Sequence, residues 1–270
     1  MISLKRNNKK ELIKATGVRV MKKFIYEPNQ KEDFKISRGK FEDFLKCERC
    51  FYLDRVGGLV PPDMPAFTLN ETTDQLYKKE FDLCREKQVP HRLLIENKLS
   101  HIIPYQHEDI DKWRDSLHHG LMSRYKKTNI ILTGGVDDVW LNTKNNKLVV
   151  LDYKSQAKNK DQLNAEDYLE DVFHQSYKNQ LEFYAYLLNK MGFEVDETGY
   201  FVVCNADRSK ENFEKVMIFD ELLVPYKLDT SWIEKKLDLM IKVLNNKKEA
   251  ESHESCMNCA YQRERSRIEQ

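Results

Sequence analysis

Nowhere does this 270-residue chain approach the roughly 20 consecutive apolar residues that a membrane-spanning helix needs. No apolar signal-peptide core follows its N-terminus either. Both absences lead to the expectation of a cytoplasmic protein with no membrane partner. An excess of charge of either sign is missing too: 45 Lys and Arg stand against 44 Asp and Glu, a net charge of +1. A uniformly basic surface is thereby excluded, and any face for a polyanion must be a local patch set against acidic surface elsewhere. The chain has no internal repeat, no low-complexity linker and no helicase motif. Its histidines (His91, His101, His107, His118, His119, His174 and His253) show no spacing suited to metal ligation.

Hydrophobic residues make up 40% of the chain and charged residues 33%, enough for one large α/β domain or two small ones with a proper core. Residues 1–24 carry eight Lys or Arg against Glu11 alone, and residues 1–30 read as a basic arm or extension, either mobile or in contact with phosphate. Residues 31–270 read as a single domain. Ser37 suits the N-cap of one helix running to Arg55, with Phe41, Phe44, Leu45 and Phe51 at helical spacing. Gly57-Gly58 stops it, and Pro61, Pro62 and Pro65 mark a loop. Further helices are expected at Thr73–Lys87, with Leu76, Phe81 and Leu83 near its buried stripe, and at Glu108–Tyr125. From Asn129 the character changes. Asn129–Thr133, Val136–Leu141 and Lys147–Lys154 are Val-, Ile- and Leu-rich runs of strand length. Lys160–Asp171 reads as a polar loop or short helix, Ser176–Lys190 as an amphipathic helix, Gly199–Cys204 and Glu214–Phe219 as strands, and Trp232–Asn245 as a last helix before a polar tail.

Asn142-Thr-Lys-Asn-Asn146 is turn-rich, so the strands on either side should form a hairpin. With Lys144 and Asn145 at its tip, Asp137 faces Asp152. Carboxylates opposite each other repel, and Asp152 interrupts the apolar run Leu148–Leu151. A shared divalent cation is the usual reason for such a pair. Alternation puts Lys154 on the Asp152 face, where its ammonium can hold a water or steady charge on a phosphate. The alternative is a solvated edge hairpin, and Asp138, pointing the other way, is expected to be such a water-facing residue.

Gly135-Val-Asp137, Asp152-Tyr-Lys154 and Gln180-Leu-Glu-Phe-Tyr184 resemble, in order and spacing, the G-x-x-D, D-x-K and Q-x-x-x-Y motifs of PD-(D/E)XK nucleases, and more narrowly the RecB-like exonucleases and CRISPR-adaptation nucleases. The resemblance covers roughly residues 37–262. It implies an α/β restriction-endonuclease-like core: a central mixed β-sheet flanked by helices. It also implies hydrolysis of phosphodiester bonds with Mg²⁺ or Mn²⁺ held by Asp137 and Asp152, Lys154 beside them, and Gln180 and Tyr184 positioning the site. Single-stranded DNA or DNA ends become the expected substrate, with a helicase or another repair or CRISPR protein as partner. Relatives carry a metal-binding histidine on the first helix; Asp74 stands at the matching place here, as an oxygen ligand or as a first-turn acid favoured by the helix dipole. A nucleic-acid-binding module that has lost hydrolysis and a restriction-type endonuclease are the competing readings.

Cys47, Cys50, Cys256 and Cys259 form two C-x-x-C pairs, a spacing that points to metal rather than disulfides. Four thiolates suit either Zn²⁺ or an iron–sulfur cluster, and spacing does not separate these. The resemblance implies a [4Fe–4S] cluster: Phe44-Leu-Lys-Cys47 is similar to the family's early segment, with Glu48 in place of proline, and Cys256-Met-Asn-Cys259 to its late segment, with Cys50 supplying the ligand that no third late cysteine provides. Either metal would tie the N- and C-terminal segments together. Cys84 and Cys204 read as small buried hydrophobes.

Overall fold

Asparagine side chains stand in for backbone partners at the Asn142–Asn146 turn. Asn142 Oδ1 accepts from the Lys144 amide and Asn145 Oδ1 from the Lys147 amide, both at 3.1 Å. Asn146 adopts a left-handed φ of 58°, which asparagine tolerates. The flanking strands pair antiparallel with Asp138 opposite Leu151 and Asn142 opposite Lys147, the register expected from the sequence.

The computed structural model describes residues 4–62, 67–159, 161, 163–246 and 248–270. Pro65 and Lys160, each part of an expected loop, lie outside them. Along the chain run β1 (Phe34–Ser37), α1 (Arg38–Lys46), α2 (Glu48–Arg55), α3 (Thr68–Lys87), α4 (Arg92–Glu96), β2 (Ile102–Pro104), α5 (Ile110–Arg114), β3 (Leu121–Arg124) and β4 (Ile130–Gly134). The hairpin follows as β5 (Asp138–Asn142) and β6 (Lys147–Gln156). After it come α6 (Ala165–Glu170), α7 (Gln175–Lys190), β7 (Thr198–Ala206), β8 (Phe219–Lys227), α8 (Ile233–Leu244) and α9 (Met257–Glu269). The chain divides into two units, one of Met1–Ala66, Arg124–Ile131 and Ile233–Gln270, the other of Phe67–Ser123 and Leu132–Trp232.

The second unit holds a five-stranded mixed sheet in the order β2-β5-β6-β7-β8. β6 and β7 are parallel while the other neighbours are antiparallel. A parallel pair needs a long crossover, here α6 and α7. Strand β6 is central, which is why its apolar run is unbroken by polar alternation. Leu151 and Tyr153 face α3, where they join a core with Tyr77, Phe81, Trp140 and Val202. Tyr77 stacks on Tyr153 with ring centroids 5.2 Å apart. Val150 and Asp152 face α7 instead: Gln180 of that helix reaches Asp152, and Gly199 of β7 lets Leu181 and Val150 close together over it.

The first unit packs α1, α2 and α8 around Phe41, Phe44, Phe51, Leu237, Met240 and Leu244, all buried. Ser37 caps α1 as expected, accepting from the Lys40 amide. The basic N-terminal stretch is engaged here: Arg19 Nε donates to Asp54 Oδ1 at 2.8 Å, and Asp54 is also paired with Lys40 and Arg55.

Several expectations need correction. The helix Ser37–Arg55 is two helices, because Cys47 between them is extended (φ −159°, ψ 108°). Helix α3 starts at Thr68, and its buried stripe is Tyr77, Phe81 and Arg85, while Leu76 and Leu83 are exposed. Glu108–Tyr125 is not one helix. Asp115 Oδ1 accepts from the Leu117 and His118 amides, which turns the chain out of α5, and Gly120 follows at φ 81°. The last strand lies at Phe219–Lys227 rather than Glu214–Phe219, since Glu214 and Lys215 both take positive φ. Pro225 is tolerated in it because β8 is an edge strand. The polar tail is helical beyond Cys256. Cys204 is buried as expected, but Cys84 is only half-buried.

Candidate active site

The β5–β6 hairpin and α7 bring together five of the residues singled out in the sequence. Asp152 is completely buried. Its Oδ1 accepts from Gln180 Nε2 at 2.8 Å, and Lys154 Nζ is ion-paired with its Oδ2. Asp137 sits just before β5, where its Oδ2 accepts from the Tyr153 amide at 2.9 Å. Its carboxyl also lies within hydrogen-bonding reach of Asp152. Burial pushes the Asp152 carboxyl above the ordinary carboxylate range; the Lys154 ammonium opposes that and the Asp137 charge adds to it.

Gln180 is oriented from behind. Its Nε2 also donates to Tyr184 OH at 3.0 Å, the i, i+4 pairing that shares one helix face. Both side chains are buried, so neither is ordinary helix surface. Tyr184 fits because position 134 is glycine: a Cβ there would come within 2.8 Å of the tyrosine ring.

Asp74 lies nearby on α3, close enough for the Asp137 and Lys154 charges to act on it. Burial raises its pKa, and Lys78, 2.8 Å from Asp74 Oδ2, works against that. Asp74, Asp137 and Asp152 do not form a trio with oxygens all within 4.8 Å of one another. The pair Asp137 and Asp152 meets the demand of Mg²⁺ or Mn²⁺ by itself, since Mg²⁺ is typically held by one or two carboxylates and keeps several waters. The fully buried Asp152 carboxyl beside the Asp137 carboxyl is the observation that fits a cation.

Two features escaped sequence reasoning. Lys154 Nζ stands over the Tyr177 ring, 4.6 Å from its centroid. Tyr177 is three residues before Gln180, so helical spacing could have found it. Asp138, expected to face water, is completely buried. Arg85 Nη2 at 2.5 Å and Arg114 Nη2 at 2.8 Å neutralise it, and it accepts from Tyr153 OH at 3.3 Å. A carboxylate inside the sheet needs such partners, and the arginines come from α3 and α5, far away in sequence.

In the first unit the thiols of Cys47, Cys50, Cys256 and Cys259 all lie within 4.8 Å of one another, a group able to hold a metal. Cys47 is the N-cap residue of α2 and Cys256 that of α9. Against burial, which raises it, the Cys50 and His253 amides help bring the Cys47 thiol down to about 7.

The profile of the PD-(D/E)XK nuclease superfamily matches residues 69–263, a stretch that includes Asp74, the hairpin, α7 and the two late cysteines. The solved structure of SSO0001 is similar over 82% of each chain at 16% identity, with a TM-score of 0.33 that adds nothing to this assignment. No protein of curated function matches the chain. The mixed sheet flanked by helices is a restriction-endonuclease-like core, and with more than half of its length matched the chain belongs to the PD-(D/E)XK nuclease superfamily.

Proposed function

We propose that the protein is a metal-dependent deoxyribonuclease that digests single strands or ends, with residues 31–270 as its nuclease domain and unwinding left to a helicase partner. The observation that carries the hydrolytic part is the fully buried Asp152, set beside Asp137 and ion-paired with Lys154. Asp137 and Asp152 hold the cation, with Asp74 as an outlying oxygen. The bound cation supplies a Lewis acid for the phosphate and lowers the pKa of water.

The protein's own groups do the remainder. Lys154, kept in place by Asp152 and the Tyr177 ring, donates to the attacking water or to the phosphate oxygen on which charge builds. Gln180 fixes the Asp152 carboxylate through Oδ1, Lys154 is paired with Oδ2, and Tyr184 fixes Gln180. Water adds to phosphorus and the bond to the leaving oxygen breaks. The cysteine clip takes no part in this chemistry; a metal held by its four thiols would brace the first unit.

One observation favours a second reading, a binding module without hydrolysis: Asp74, at the place of the family's histidine, is held by Lys78. End-labelled single- and double-stranded DNA incubated with Mg²⁺, Mn²⁺ or EDTA separates the two. Cleavage that needs the metal and proceeds from ends supports the proposal. Internal cuts at fixed sequences would instead mark a restriction-type endonuclease. Folded protein that binds DNA yet cleaves nothing with either metal would leave only the binding module.

A further inference from the structure

The four thiols of the first unit sit closer together than a cluster permits. Cys47 Sγ is 3.8 Å from Cys259 Sγ, and Cys50 Sγ is 3.5 Å from both Cys256 Sγ and Cys259 Sγ. No pair among the four exceeds 4.8 Å. These separations are far longer than the S–S bond of a disulfide, about 2.05 Å, and all four thiols are free. A zinc–thiolate bond is about 2.3 Å, so four sulfurs at the corners of a tetrahedron around one ion are about 3.8 Å apart. In a [4Fe–4S] cluster each thiolate binds a different iron, and the cube of irons and sulfides fills the centre. Its four thiolate sulfurs are therefore pushed well beyond the spacing that a single ion sets.

We infer that the Cys47–Cys50–Cys256–Cys259 clip is a structural site for one tetrahedral Zn²⁺ and not for the iron–sulfur cluster that family resemblance implies. The backbone supports this independently of the distances. Each C-x-x-C pair opens a helix in the same way, with its first cysteine extended at the N-cap (ψ 108° at Cys47, ψ 106° at Cys256) and its second in the first turn. The two late ligands and the two early ones thus form equivalent halves of a closed four-ligand site with no open position, the arrangement of a structural rather than a catalytic zinc. Widening the clip to admit a cluster would require the two helix starts to separate, although Cys47 and Cys259 are both buried.

The test gives a cluster every opportunity. The full-length chain is produced in iron-supplemented cells and purified without oxygen, and its metals and acid-labile sulfide are counted. One zinc per chain, colourless protein and no sulfide are expected. Zinc-free protein titrated with Co²⁺ should develop the absorption of a tetrahedral tetrathiolate, Cys259→Ser should abolish that absorption, and Cys84→Ser should retain it. Zinc removal should lower the melting temperature by about 5 °C or more, because a structural metal contributes folding energy directly. Four irons and four sulfides per chain with broad absorption near ~400 nm, as isolated or after incubation with ferrous iron and sulfide, would overturn the inference. So would metal-free protein whose four clip thiols all alkylate freely. None of these readings involves cleavage of DNA, so the inference and the nuclease proposal fail separately.

Discussion

Asp138 and Asp152 are both completely buried on one hairpin, yet they are treated in opposite ways. On the α3 side of the sheet, Asp138 meets two guanidinium groups, a tyrosine hydroxyl and the Val139 amide. On the α7 side, Asp152 meets one glutamine, one ammonium and a second carboxyl. Burial costs both carboxylates their hydration. Where the protein supplies every partner, the charge serves the scaffold. Where it places a like charge alongside, the pair has the form of a candidate cation site. A single β-strand alternation separates the two roles.

The comparison breaks first at Asp152. Asp152→Asn keeps the shape and the Gln180 contact but removes the charge, and should lower the cleavage rate by roughly 10³-fold, as should Lys154→Ala. Both variants should remain folded. Near-normal cleavage by either folded variant removes that residue from the reaction. In metal-free protein, raising the pH from the ordinary carboxylate range should destabilise the wild type relative to Asp152→Asn. The folded state holds on to a proton that the unfolded chain releases, so stability falls as pH rises through that window. Melting curves across pH, with and without Mg²⁺, check this, and added Mg²⁺ should reverse the trend.

Asp138→Ala should act on stability instead. It leaves Arg85 and Arg114 buried without their counter-charge, a loss of about 3–5 kcal/mol in denaturant titration. An unchanged midpoint would mean that the two arginines find other partners. Smaller effects are expected behind the site. Gln180→Leu should cost about 10–100-fold, expressed partly as a higher requirement for Mg²⁺ or Mn²⁺. Tyr184→Phe should cost less, since it loses only the oxygen that orients the Gln180 amide. Asp74→Ala should cost least of the site variants, about tenfold, with partial recovery in Asp74→His. Full activity in Asp74→Ala would reduce that carboxylate to a partner of Lys78.

The hairpin was legible in the sequence because its information is local. Asn142, Asn145 and Asn146 fix the turn, the turn fixes the register, and alternation then places Lys154 with Asp152. Helix α7 was legible for the same reason. What stayed hidden depends on partners remote in the chain. Periodicity runs straight through Cys47, whose thiol and that of Cys50 meet Cys259, 212 and 209 residues further on. Asp138 reads as a solvated acid until α3 and α5 supply arginines 53 and 24 residues upstream. The misplaced β8 shows the reverse error: Val216 and Ile218 have the composition of a strand but are exposed, while the true edge strand carries a proline.

The clip also imposes an order of assembly. The hairpin joins residues that emerge from the ribosome almost together, so it can form early and quickly. Cys47 and Cys259 are separated by 212 residues, and the whole second unit is threaded between them. A metal held by all four thiols therefore cannot be captured until Cys259 has been made. Closing so long a loop adds little further entropy cost per residue, while the cross-link then removes much of the freedom of any unfolded chain. The bond that comes last in time thus becomes a brake on unfolding. A metal bound by the four thiols would accordingly lengthen the lifetime of the first unit.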